Sequence, residues 1–286
     1  MDFKNVKLSD LTKEQLIDVI KFQRRTINSQ ENFLINISHD LRSPVNSILS
    51  VLQCLKYLNT DNSKEVKEKT NEYRKIIKRN SLKIIKLIDN LIDTTKLEGD
   101  NYHLNKTNLD IVNVVESIVD SIEVYANEKK INIIFDTNVE EFMINADLEA
   151  VDRIVMNLLS NAIKFSPVDE VIEVTVNAEE NNVEISVKDN GIGIAEEEQK
   201  KIFNRFEQAT NSKRVEGKGS GIGLDLVSYL VKSHGGKIQL NSKLNEGSEF
   251  IVTLPVGKLS EDKENHELMS RNKVEQLEIE FSDIYL

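Results

Sequence analysis

The chain has 286 residues, 39% of them hydrophobic, with Asp+Glu 48 against Lys+Arg 37 and a net charge of −11. That length and apolar fraction are enough for one large or two ordinary cores. The acidic balance excludes a general attraction to nucleic acid or anionic lipid. With 30% charged residues, three prolines and no tryptophan, the composition favours long helices over an all-β fold. A single cysteine, Cys54, excludes an intramolecular disulfide or a cysteine-based metal site, suits a reducing compartment and is expected to be partly buried. No apolar run approaches the ~18 residues of a membrane span, and the N-terminus lacks the apolar core of a signal peptide. The chain as given is expected to be soluble and cytoplasmic.

From Leu11 to about Leu58 only Pro44 interrupts a helical pattern, in which Leu34, Ile37, Leu41, Val45, Ile48, Leu52 and Leu55 recur at spacings of three and four. After a polar turn at Asn59–Ser63, Tyr73, Ile77, Ile84, Ile88, Leu91 and Thr95 carry a similar pattern up to Glu98-Gly99. Two helices with one apolar stripe each predict a helical hairpin over 28–98, preceded by a helical lead-in over 1–27. Such a hairpin cannot cover both stripes alone, so pairing with a second copy into a four-helix bundle, a homodimer, is expected.

Beyond Asp100 the pattern mixes periods. A helix is predicted from Asn108 to about Lys129, then a strand at Ile131–Phe135, and Asp147 is placed to cap a helix over Leu148–Lys164. Alternation predicts strands at Ile172–Val176 and Val183–Val187, a helix from about Ile222 to Ser233, and strands near Lys237–Asn241 and Phe250–Leu254. Residues 99–258 therefore read as an α+β sandwich of helices on a mixed sheet. Residues 259–286 hold eight acids against Lys263, Arg271 and Lys273. They are expected to be a solvated acidic tail rather than a docking element, although Val274, Leu277, Phe281 and Ile284 share one helical stripe.

His39 falls roughly 160° from the mean direction of the first seam, so its imidazole is predicted to face water. Asp40 follows it, Ser43 lies one turn further on the same side, and Pro44 removes the N–H that would bond the Asp40 carbonyl. A carboxylate that accepts a proton from one ring nitrogen raises electron density on the other, which makes a neutral imidazole a competent nucleophile. The string FLINISHDLRSP over 33–44 resembles the phosphoacceptor motif of sensor histidine kinases, F-x-x-x-x-S-H-[ED]-L-R-T-P-L, departing by Ser43 for Thr and Val45 for Leu.

On the helix over 148–164, Val151, Ile154, Val155, Leu158 and Ala162 form the buried face while Asn157, Asn161 and Lys164 line its margin. Read alone this margin is equally a solvated edge or a site for Mg²⁺ and phosphate, since an amide oxygen is a neutral hard ligand and lysine adds a point charge. Period-two alternation carries Asp189 onto the apolar face of Val183, Ile185 and Val187, where it either caps a turn or accepts a hydrogen bond from the adenine amine. Gly191 and Gly193 let backbone approach a ligand there. The run Gly217–Leu224 opens a helix whose N–H groups favour phosphate, but it lacks the Lys-Ser/Thr pair of a Walker loop and the surroundings of a dinucleotide fingerprint.

Taken in order, NLLSNAIKF (157–165), DNGIGI (189–194), IFNRF (202–206), GSGIGL (219–224) and GSEFIVTL (247–254) are similar to the nucleotide-binding boxes of the histidine kinase catalytic domain. With the His39 motif the resemblance covers roughly residues 28–258. It implies a dimeric helical hairpin followed by a Bergerat-type ATP-binding sandwich. It also implies that Asn161 ligates Mg²⁺, that Asn157 and Lys164 contact phosphates, and that Phe165 packs beside the nucleotide. Asp189 would read adenine, with Gly191 and Gly193 in the adjoining loop. A mobile lid between Phe206 and Gly219 would offer Lys213, Arg214 and Lys218 to the phosphates, ahead of Gly219, Gly221 and Gly223.

Gyrase-like ATPases with this fold carry a water-activating glutamate where this chain has Asn157, and an amide is no base, so phosphoryl transfer to histidine is favoured over hydrolysis. The resemblance thus implies an ATP:protein-histidine kinase that phosphorylates His39 and supplies an aspartate on the receiver domain of a response regulator on a separate chain. Ser43 sits where relatives that also dephosphorylate that regulator position a water. A catalytically silent, nucleotide-binding interaction dimer is the alternative. The signal is expected either from an upstream partner or from a longer kinase of which this chain is a part.

Overall fold

The structure, a computed structural model, describes residues 12–57, 64–98, 103–204, 207–210, 221–259 and 272–283. The first helix, α1 (Lys13–Tyr57), opens with a capping box: the Thr12 hydroxyl accepts from the Gln15 N–H, and the Gln15 side chain accepts from the Thr12 N–H. It runs on through Pro44, and α2 (Lys64–Glu98) returns beside it. The predicted turn at Asn59–Ser63 lies outside the described residues. Within one chain the seam closes only in part. Ile37 is buried and Leu41, Ile48 and Leu55 are half-buried, but Val45 and Leu52 stay exposed, as do Leu49, Ile85, Ile88 and Ile92. Cys54 is exposed rather than partly buried, because it lies one residue, about 100°, off the inward-facing Leu55.

The second region is the predicted sandwich. Its main sheet has the order β2 (Asn132–Thr137), β4 (Val171–Ala178), β5 (Asn182–Asp189), β7 (Gly247–Pro255), β6 (Lys237–Lys243). It is mixed: β2 and β4 are parallel and the other neighbours antiparallel. Helices α3 (Ile111–Glu128), α4 (Leu148–Phe165) and α6 (Gly223–Ser233) pack against the strands and one another. The alternating residues Ile172, Val174, Val176, Val183, Ile185, Val187, Val252 and Leu254 form the sheet side of that core. The helix predicted from Asn108 begins three residues later. Asn108–Asp110 belong to β1 (Thr107–Asp110), which pairs with an unpredicted strand β3 (Met143–Ala146). Asp110 then serves as N-cap, its carboxylate accepting from the N–H groups of Val112 and Phe142. A single turn, α5 (Glu196–Gln199), follows the Asp189 loop.

For the described residues 272–283 the expectation of a solvated tail is overturned. Residues 272–280 form α7 (Asn272–Glu280), continued by a 3₁₀ turn at Phe281–Asp283. The i, i+4 pair Leu277 and Phe281 gives that turn of helix an apolar face, and both side chains are buried in the core of the second region. Phe281 stacks on Tyr125 of α3 with ring centroids 4.8 Å apart. The other members of the stripe, the Val274 side chain and Ile284, lie outside the described residues.

Candidate functional site

His39 projects from α1 as the helical period predicts, with 75% of its side chain exposed. Its Nδ1 lies 3.5 Å from a carboxylate oxygen of Asp40, at the outer limit of a hydrogen bond, so Asp40 stands beside the ring without clamping it. Ser43 is exposed one turn on, and its carbonyl accepts from the Ser47 hydroxyl at 3.2 Å. Pro44 is buried, and its missing N–H leaves the helix without the bond that would close at Asp40.

The buried face of α4 anchors the second cluster. Asp147 caps this helix by accepting from the Ala150 N–H, and its other oxygen accepts from the Asn105 N–H at 2.7 Å. The Asp147 N–H in turn donates to Nε2 of His234 at 3.1 Å, while Nδ1 of His234 donates to the Leu230 carbonyl. Burial pushes the His234 imidazole below its ordinary pKa, which keeps it neutral as that bonding requires. At the other end the Lys129 ammonium donates to the carbonyls of Ile163, Lys164 and Ser166 at 2.9–3.1 Å, satisfying acceptors that a helix C-terminus leaves open. Between these two fixtures Asn157, Asn161, Lys164 and Phe165 line the half-buried margin. The Asn157 amide donates back to the Arg153 carbonyl, and the Lys164 ammonium lies 5.5 Å from the centre of the Phe165 ring.

Asp189, at the end of β5, is carried inward as the alternation predicts and is 7% exposed. Its carboxylate accepts from the Gly191 N–H at 2.7 Å and from the Ser248 N–H. Desolvation outweighs those two bonds and raises its pKa from 3.8 to about 6. The loop that follows is pressed against its surroundings. A Cβ on Gly191 would stand 2.6 Å from Asp189 Oδ1 and 2.7 Å from the Phe165 carbonyl oxygen. Gly193 has φ +60 and runs against the Lys243 backbone, so it also needs a glycine. The Ser242 hydroxyl holds Ile194 from the sheet side, and the Gln199 amide bonds the carbonyls of both Ile194 and Ser242.

Gly223 opens α6 where a Cβ would collide with the Asn157 side chain, so the helix N-terminus and the amide margin of α4 meet directly. Gly221, two residues earlier, has φ +71. Lys213, Arg214, Lys218 and Gly219 lie outside the described residues. At the near edge of that segment Glu198 accepts from both the N–H and the hydroxyl of Thr210. The structure thus brings Asn157 and Gly223 to one place, with Asn161, Lys164 and Phe165 further along α4. Phe165 reaches the Asp189 loop through its carbonyl. Sequence reasoning assigned no role to Lys129 or Gln199, nor to Ser248 within the GSEFIVTL run: Lys129 and Ser248 meet partners distant in sequence, and Gln199 bonds both Ile194 nearby and Ser242 across the fold.

Two family models match the chain: His Kinase A (phospho-acceptor) domain over residues 29–100, and histidine kinase-, DNA gyrase B- and HSP90-like ATPase over residues 146–258. Sensor histidine kinase WalK of Bacillus subtilis is 28% identical over 242 residues, covering 84% of this chain and 39% of WalK. The chain therefore spans well under half the length of that curated relative. Full-length ShkA, solved with AMPPNP, shares the fold at a TM-score of 0.58 and 23% identity, over 79% of this chain and 46% of ShkA. ThkA, solved with the response regulator TrrA, does so at 0.55 and 20%, over 86% and 68%. With the acceptor model on the hairpin that exposes His39 and the ATPase model on the sandwich that buries Asp189, this chain belongs to the histidine kinases and carries their two-domain core.

Proposed function

We propose that this chain is an ATP:protein-histidine phosphotransferase acting as a homodimer. The observation that carries the reading is the pairing of an exposed imidazole on an unbroken helix with a buried, uncompensated carboxylate in the following domain. Among the described residues Asp189 meets only backbone N–H groups and no cation, so its carboxylate retains acceptor capacity for an N–H from outside the chain, which the adenine amine supplies. Asn157 and Asn161 offer neutral amide oxygens and Lys164 a charge, a donor set that fits Mg²⁺ and phosphate. Mg²⁺ held there by Asn161 would neutralise charge on the phosphates. The N-terminus of α6 at Gly223 and the cations Lys213, Arg214 and Lys218 complete the phosphate-facing set.

His39 is the nucleophile. The lone pair of Nε2 attacks the γ-phosphorus, a P–N bond forms and the bond to the ADP oxygen breaks, while the proton stays on Nδ1 facing the nearby Asp40 carboxylate, which draws in to accept from it. The phosphoryl group then passes to an aspartate on the receiver domain of a response regulator, a partner of the kind bound to ThkA. Ser43, exposed one turn from His39, is placed to orient water for the reverse task of dephosphorylating that regulator. The uncovered apolar side chains of α1 and α2 support the dimer. No described helix is long and apolar enough to cross a membrane. We place this chemistry in the cytoplasm.

The test is incubation with Mg²⁺ and γ-labelled ATP, comparing the parent chain with His39→Gln. The expected result is label that is labile in acid, stable in base and absent from the variant. Absence of label in a chain shown to bind ATP would instead identify a nucleotide-gated interaction protein.

A further inference from the structure

Helix α6 lies on α4 with its start at Asn157 and its end at Asp147, so the two helices run in opposite directions. At a rise of ~1.5 Å per residue, Asp147 to Asn157 spans about 15 Å of α4 and Gly223 to His234 about 17 Å of α6. Two contacts therefore bracket the pair at matching distances, one at the phosphate-facing margin and one far from it.

The far contact is directional, and both of its members are fixed. Asp147 is a buried post whose carboxylate accepts from the N–H groups of Ala150 and Asn105. The buried His234 ring is held against its own helix, where Nδ1 donates to the Leu230 carbonyl at 2.8 Å. That bond leaves Nε2 facing Asp147, whose N–H it accepts at 3.1 Å. Gly235, with φ +79, ends the helix directly behind the ring. The rest of the contact between α4 and α6 is made by buried apolar faces. Apolar packing has no direction and tolerates a small slide, whereas a hydrogen bond is lost within about half an ångström.

The near contact has no slack. A Cβ on Gly223 would stand 2.4 Å from Asn157 Oδ1, so a slide of α6 along α4 changes where the helix N-terminus stands against the amide margin. We infer, resting on the reading above in which the N-terminus of α6 receives phosphate, that His234 is a positioning residue for that end of the nucleotide site. Through the Asp147 N–H it sets the register of α6 on α4, and with it the place of Gly223 relative to Asn157. The adenine end at Asp189 is held by other elements, β5 and β7, and is independent of this register.

The experiment measures the affinity of the full chain for ATP and for adenosine by titration calorimetry. It compares the parent with His234→Asn and His234→Gln, each at a temperature where thermal unfolding shows it folded. The two amides differ in reach: Asn can still donate to the Leu230 carbonyl, while Gln carries its carbonyl oxygen out to where Nε2 meets the Asp147 N–H. The expected result is an ATP dissociation constant raised about tenfold in His234→Asn, the lower end for a lost hydrogen bond to a charged group, and within about threefold of the parent in His234→Gln. Adenosine, which has no phosphates, should keep its affinity within about twofold in both. Hydrogen exchange in the parent requires no variant to fold: coupling is reciprocal, so ATP and not adenosine should slow exchange at the Asp147 N–H. An unchanged ATP constant in His234→Asn, equal losses for ATP and adenosine, no recovery in His234→Gln, or equal protection of Asp147 by both ligands overturns the register role and leaves His234 a core residue. A parent that prefers ATP to adenosine yet carries no label on His39 overturns the kinase reading alone. A parent with no preference for ATP has no phosphate site at Gly223, and the register role falls.

Discussion

In the hairpin, long helices leave Ile35 at 66%, Leu49 at 51% and Ile88 at 45% exposure, and the candidate nucleophile stands in water. In the ATP-binding domain both faces of the interior are closed, with Ile118, Val155, Ile172 and Val252 fully buried, and a carboxylate lies among them. Under the proposed function an imidazole that accepts a phosphoryl group has to be reachable from outside, which an exposed position on the hairpin permits. A carboxylate that must select one ligand donor gains from exclusion of water, because its acceptor strength is set against few competitors. Among the described residues, the hairpin's apolar interior is therefore incomplete within one chain, whereas that of the ATP-binding domain is closed.

The sharpest way to break this comparison is to test the incompleteness. Replacing Leu52 and Ile88 together by Asp puts four charges into the proposed four-helix interface of a dimer. Burying each such side chain is worth about 1.5–3 kcal/mol, so the dimer dissociation constant should rise at least about a hundredfold. Both positions are about half exposed within one chain, so each hairpin should stay folded. Sedimentation equilibrium reads the change, and a variant that dimerises like the parent would show that the exposed stripes are not the interface.

A smaller and two-signed effect is expected at Asp189. Its folded pKa, about 6, lies above the ordinary 3.8, so the folded state binds more protons than the unfolded one between those values. Stability is highest below pH 3.8 on this account and falls as pH rises through about 6, by about 3 kcal/mol for a shift of that size. Asp189→Asn removes the charge but keeps one acceptor, and should stabilise the ligand-free chain by roughly 1–2 kcal/mol at neutral pH. The same change should weaken ATP binding about 10- to 100-fold, the value of a hydrogen bond to a charged group. In the parent, affinity should decline as pH falls below about 6, where the carboxyl no longer accepts at both oxygens. Thermal unfolding and titration calorimetry give the two signs. A loss of stability together with a loss of affinity would make Asp189 structural.

The acceptor helix was readable because a single period fixes which way each side chain points, and His39 and Ile37 followed from it. Asp189 was readable for the same reason with a period of two. The short strand β3 was not, since its partner β1 is more than thirty residues away and only the pairing explains it. The tail failed for a related reason. Its charge suggested solvation, and only the fold shows that Lys78 and Lys86 receive two of its acids while Tyr125 receives Phe281. Sequence pattern reports local faces, and it misses contacts whose partners meet only after folding.

Lys129 is the subtlest of those contacts and gives the smallest expected effect. It follows α3 in the chain, yet its ammonium holds the last carbonyls of α4, the helix that carries Asn157, Asn161 and Lys164. Burial lowers its pKa, a sign that the ammonium has given up water for those three carbonyls. Lys129→Met keeps the stem but removes the donors, leaving acceptors at the helix end without partners. The expected cost is about 2 kcal/mol, or a fall in Tm of about 5 °C. Because the site side chains are held chiefly by the buried face of α4, the dissociation constant for ATP should change by no more than about threefold. A large loss of affinity with little loss of Tm would show that the turn after Phe165, and not the packed helix, sets the geometry of the nucleotide site.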